Sequence, residues 1–137
     1  MRAVLIALLL TTPGVVGPAG AAVPAKPPSY GVWHNPANSV HVAAKPCGDK
    51  MCGVVVWANA KAKADAAKGG NPKLVGMDLF QNFTQIDDTH WKGKVYVPDI
   101  NKTFSGTVTV VNAHTLTGKG CLLGGLGCKS QTWTRVK

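Results

Sequence analysis

Four histidines, four cysteines and six aspartates are the residues of this chain with capacity for acid–base, nucleophilic or metal chemistry, and there is no glutamate. His34, His41, His90 and His114 stand far apart in the sequence. Catalytic and metal sites are usually announced by grouped ligands, so these four could act together only if the fold gathered them. The adjacent carboxylates Asp87 and Asp88 fall in a turn by composition, where both would face water. Neither a Gly-x-Ser-x-Gly elbow nor a His-Glu-x-x-His pair is present. The inventory supplies no catalytic residue, no metal ligand and no reason to expect a cofactor. The expectation is a binding protein rather than an enzyme.

The cysteines form two close pairs, Cys47 with Cys52 and Cys121 with Cys128, each bracketing a glycine-containing segment. A four-cysteine zinc site is the alternative, but it ordinarily places two to four residues within each pair, and the second pair is wider. Export bears on the choice. Residues 1–21 read as a secretory signal, with the basic start Met1-Arg2, an apolar run over residues 4–10 and the small residues Ala19-Gly20-Ala21. The apolar run is too short to span a bilayer, and no later stretch is long and apolar enough to do so. An exported chain, periplasmic or secreted, meets oxidising conditions, so two local disulfides are preferred.

Removing residues 1–21 would leave about 116 residues, enough for one domain. Residues 22–29 are a Pro-rich leader, and the domain is expected over residues 30–137. The formal net charge of +9 favours anionic partners, with an envelope polymer or lipid head groups as candidates. The lysines are scattered rather than bunched with aromatics, so nucleic acid is not expected as a partner.

Strand-length segments separated by turn residues account for nearly the whole domain. Residues 30–34, 40–45, 53–58, 74–83, 90–97, 103–111, 116–122 and 130–136 read as eight strands, and residues 103–111 carry the cleanest two-residue period, with Phe104, Val108 and Val110 on one face. Residues 60–68 have helix propensity and no apolar stripe, so at most a short surface helix is expected there, a solvated crossover in preference to a lid over an opening. The fold class is all-β: a single small eight-stranded antiparallel meander barrel. Closure would remove exposed strand edges.

An eight-stranded interior is either filled by side chains or holds one small ligand, and the sequence leaves that choice open. If hollow, its candidate contacts are Trp91, Val95, Phe104, Val108 and Trp133, for a small apolar or amphipathic ligand. The four tryptophans, Trp33, Trp57, Trp91 and Trp133, would line that pocket or fill the core.

Two resemblances follow from these residues. Gly31-x-Trp33 on the first strand with Arg135 on the last is similar to the calycin pattern of lipocalins and fatty-acid-binding proteins. That likeness implies an arginine packed over a tryptophan at the closed end of a barrel, a structural role. Over residues 30–137, the segments Cys47-Gly48-Asp49-x-x-Cys52-Gly53-x-Val55-Val56-Trp57, Trp91-Lys92-Gly93-Lys94-Val95-Tyr96-x-Pro98-Asp99, Lys119-Gly120-Cys121 and Cys128-Lys129-Ser130-Gln131-Thr132-Trp133-Thr134-Arg135 together resemble the DUF2147 family of exported bacterial proteins. The resemblance implies the barrel and the export, and it brings no catalytic residues. Around Asn71-Pro72-Lys73-Leu74 the chain departs from that family, many of whose members are richer there in Asp and Arg.

Overall fold

A computed structural model describes Gly14, residues 28–121 and residues 127–137. The expected signal segment, Gly14 apart, most of the Pro-rich leader and Leu122 lie outside the described residues.

Eight strands form a closed antiparallel barrel in sequence order: β1 (Gly31–His34), β2 (Val40–Cys47), β3 (Lys50–Ala58), β4 (Asp78–Gln85), β5 (His90–Val97), β6 (Lys102–Asn112), β7 (Thr115–Cys121) and β8 (Cys128–Arg135). The meander is closed by β1 against β8, where Trp33 faces Arg135 and His34 faces Thr134. Two backbone bonds extend this seam, Val32 N–H to Lys137 O and Val136 N–H to Val32 O, each 2.7 Å. Both cysteine pairs are disulfides, Cys47–Cys52 tying the β2–β3 hairpin and Cys121–Cys128 joining β7 to β8.

Up-and-down topology sorts the connections by end. The β2–β3, β4–β5 and β6–β7 turns lie with the two termini of the barrel at one end. The β1–β2 and β5–β6 turns, the β7–β8 connection and the long β3–β4 crossover lie at the other. Asn38 and Asn101, in the two turns of that second end, adopt left-handed backbone with φ of 49° and 51°, a conformation asparagine tolerates better than most residues.

The first end is packed solid. Trp33, Val42, Met51, Val55, Phe83, Val108 and Leu116 are all essentially inaccessible to solvent. Packing stops there on an extended glycine row: Gly93 pairs with Gly106, and Gly106 with Gly120. A Cβ on Gly93 would lie 2.7 Å from the Phe83 ring, and one on Gly106 would strike Val95 and crowd the same ring at 3.2 Å. The absence of side chains at these two positions is what lets the Phe83 ring approach the barrel wall closely.

The crossover carries α1 (Ala60–Lys68), capped by Asn59, whose side-chain oxygen accepts from the Ala62 N–H at 2.8 Å. The short surface helix expected over residues 60–68 is present, with most of its residues exposed, but it is not without a packing face. Ala66 is completely buried and Ala62 is partly buried against the core, so an i, i+4 alanine pair forms a narrow packing stripe of small side chains. Asn71, just beyond, donates from its side chain to Tyr96 Oη and Pro98 O, both 2.9 Å, anchoring the crossover to the β5–β6 hairpin.

Candidate functional site at the open end of the barrel

Strand pairing fixes which side chains point inward at the second end. Val95 pairs with Phe104, Val97 with Lys102, Val108 with Gly118, Gly118 with Gln131 and Gly120 with Lys129. In this wall the glycines leave space instead of bulk. The space is a cavity of about 530 Å³ bounded by Phe80, Val95, Val97, Phe104, Val108 and Trp133, with Ile100, Gly118, Gly120, Gly127 and the polar residues Lys102, Thr107, Lys119, Lys129 and Gln131. A second hollow of about 450 Å³ lies beneath α1, with Ala62, Leu74, Leu79 and Tyr96 in its wall and Asp65 and Asp99 at its polar side. The two share Phe80, Val95, Val97, Gln131 and Trp133, so the helix roofs one side of a common open end.

Four of the five candidate ligand contacts, Val95, Phe104, Val108 and Trp133, line the larger cavity. Trp91 sits deeper, buried and tilted against Tyr30 with ring centroids 6.2 Å apart. Phe80 is the residue that the alternation placed wrongly. A strict two-residue period puts it opposite Phe83, but Asn82 takes left-handed backbone, with φ of 52°, and the β4–β5 register shifts between Gln81 and Thr84. That irregularity turns both rings inward, 5.8 Å apart and edge to face, and Phe80 then meets Trp133 at 5.5 Å. Positive φ at a non-glycine residue inside a strand leaves only a faint sequence trace, here an asparagine between two aromatics.

Trp57 also departs from expectation, since it neither lines the pocket nor fills the core. A register shift between His41 and Val42 leaves Val56 and Trp57 both facing outward, and Trp57 is 44% exposed. It packs at a tilt against His41, ring centroids 4.5 Å apart, and the His34 ring lies 6.0 Å from that of His41. Burial first, and then the neighbouring His34, hold the His41 imidazole below its usual pKa.

The remaining histidines are elsewhere, and no histidine lines either cavity. Asp87 serves the β4–β5 turn: its Oδ1 accepts from the N–H groups of Thr89 and His90, both 2.9 Å, and from His90 Nδ1 at 2.8 Å. The Thr89 N–H and then the His90 side chain bring the Asp87 carboxyl from the ordinary 3.8 down to about 2. The folded value lies below the unfolded one, so this contribution to stability is complete above about 3.8 and is lost as pH falls through about 2. Carboxyl titration by NMR should find the Asp87 midpoint near 2. A midpoint at the ordinary value would refute this turn geometry.

The fold is a closed eight-stranded meander barrel of lipocalin-like architecture. Among solved structures the chain is similar to one described as "Protein HP1028 from the human pathogen Helicobacter pylori belongs to the lipocalin family", at 17% identity over 79% of this chain and 82% of that one, with a TM-score of 0.59. No curated protein matches it. The model of DUF2147, described as an uncharacterized protein conserved in bacteria, matches residues 31–135, and the chain belongs to that family.

Proposed function

We propose that this protein is exported and acts as a non-catalytic container for one small apolar or amphipathic molecule, held at the open end of the barrel against Phe80, Val95, Phe104, Val108 and Trp133. The observation that carries this reading is the division of the interior. A volume of about 530 Å³ falls within the roughly 300–1,000 Å³ of small-molecule sites, and its wall is mainly apolar with a few polar groups. Gly118 and Gly120 leave this wall without side chains although a Cβ at either would meet only ordinary contacts. No histidine or aspartate lines this wall, an arrangement that suits binding better than turnover. The signal-like segment over residues 1–21 and the two disulfides support export.

Titration with a fluorescent apolar probe should show one saturable site per chain, with part of the tryptophan emission quenched as the probe enters. Native mass spectrometry of gently purified protein should show a single bound small molecule. Folded protein that takes up no probe and carries no adduct would refute the container.

A further inference from the structure

Lys102 and Lys129 are the two cationic side chains that strand pairing directs to the inner side of the cavity wall. Lys102 opposes the inward Val97, and Lys129 lies two residues from the inward Gln131 and four from Trp133. Lys119 is also at this wall, but it pairs with Thr107 and Ser130, on the opposite side of β7 from Gly118 and Gly120. No carboxylate lines the larger cavity. The ion pairs among the described residues are Lys61–Asp65 on α1 and His90–Asp87 in the β4–β5 turn, so neither inward lysine is neutralised there. The roofed hollow differs, with Asp65 and Asp99 in its wall.

Two ammonium groups with no ion-pair partner among the described residues, on a mainly apolar wall, set a direction for the ligand. Both belong to the rim: Lys102 opens β6 beside the β5–β6 turn, and Lys129 is the second residue of β8. The apolar side chains Phe80, Val108 and Trp133 lie on the packed side of them. We propose that the occupant is an anionic amphiphile, a single-tailed carboxylate or phosphate, with its tail between Phe80, Val108 and Trp133 and its head group on Lys102 and Lys129. The proposal rests on the container reading and adds to it the sign of the ligand's charge. An ammonium group is a flexible point-charge donor that suits either anion.

The test compares dodecanoate, dodecyl phosphate, dodecanol and dodecyltrimethylammonium, each titrated below its aggregation threshold while tryptophan emission is followed. Wild-type protein should bind the two anions about tenfold more tightly than the alcohol, a margin at the low end for a hydrogen bond to a charged group because both lysines are exposed. The gap should narrow with added salt. In Lys102→Gln/Lys129→Gln the anions should fall to the affinity of the alcohol, which itself should not change. Lys102→Arg/Lys129→Arg should restore the preference, and Lys119→Gln should leave it intact. The two anions compared with each other identify the head group.

Equal binding of acid and alcohol by the wild type, a preference for the cation, or a preference that survives the double glutamine change would overturn the charge assignment while leaving the container standing. Failure of all four to bind would remove both. Circular dichroism confirms that each variant is folded, and rim positions with exposed side chains should tolerate these changes.

Discussion

Trp33→Ala is expected to lower the free energy of unfolding by about 4 kcal/mol, the range for deleting a large buried aromatic side chain. Trp33 is completely buried, and its Nε1–H donates to Ser29 O at 2.9 Å. The Arg135 guanidinium lies 4.2 Å above the indole. Arg135 also donates to Ala113 O at 2.6 Å, to Tyr30 O at 2.8 Å and to Pro28 O. One indole thus sits beneath the groups that join the start of the barrel to its finish. The β1–β8 seam is the barrel's shortest, with two directly paired residues on a four-residue strand. Removing the ring leaves a cavity under the arginine and deprives Ser29 O of its donor. Trp33→Phe should cost about half as much, since most of the apolar contact remains. Urea unfolding followed by near-ultraviolet circular dichroism measures both. A loss below about 1 kcal/mol for the alanine variant would mean that closure does not depend on this contact.

That seam was also the most legible feature of the sequence. Gly31-x-Trp33 and a terminal Trp-x-Arg say that the first and last strands meet, and Gly31 is confined by its surroundings: its φ is 130°, and a Cβ there would strike the Arg135 guanidinium. The strands were readable because alternation survives in a barrel with one wet face, as β6 illustrates with Gly106, Val108 and Val110 buried along one side. Alternation failed where a bulge adds a residue. At β4 it hid Phe80 from the cavity, and at β3 it exposed Trp57, because the two-residue period carries no mark of where it slips. The helix lies where its propensity puts it, and only its packing stripe is hidden from the sequence. Hydrophobic stripes are sought among large residues, whereas Ala62 and Ala66 pack closely because they are small.

The lysines of the rim were beyond reach for a related reason. Among thirteen scattered along the chain, Lys102 and Lys129 differ from the rest by strand parity alone, and parity becomes meaningful only once the pairing is known. The glycines had the opposite history. Gly93, Gly106, Gly118 and Gly120 suggest coiled barrel strands in the sequence, yet in the fold they divide into two kinds. Gly93 and Gly106 are crowded by Phe83, whereas Gly118 and Gly120 have room for a side chain. The same residue type closes one end of the interior and opens the other.

The second pair provides the most decisive test of the cavity. A Cβ at Gly118 would lie 3.6 Å from Trp133 Nε1, and one at Gly120 would lie 3.8 Å from Phe104 Cβ, ordinary contact distances in both cases. Neither glycine has positive φ, so an L-residue suits the backbone. Gly118→Leu/Gly120→Leu should therefore place two isobutyl groups in the cavity without displacing the wall. Stability should hold or rise, since each change removes a glycine from a strand interior at a gain of up to about 1 kcal/mol. Probe affinity should fall by at least about tenfold, because the wall that contacts the ligand is now covered by the protein's own side chains. Thermal unfolding and probe titration on one preparation read the two effects together, and Gly120→Val gives a milder plug should the double change disturb folding. A plugged barrel that is stable and still binds the probe as the wild type does would place the ligand site somewhere other than between Phe104 and Trp133.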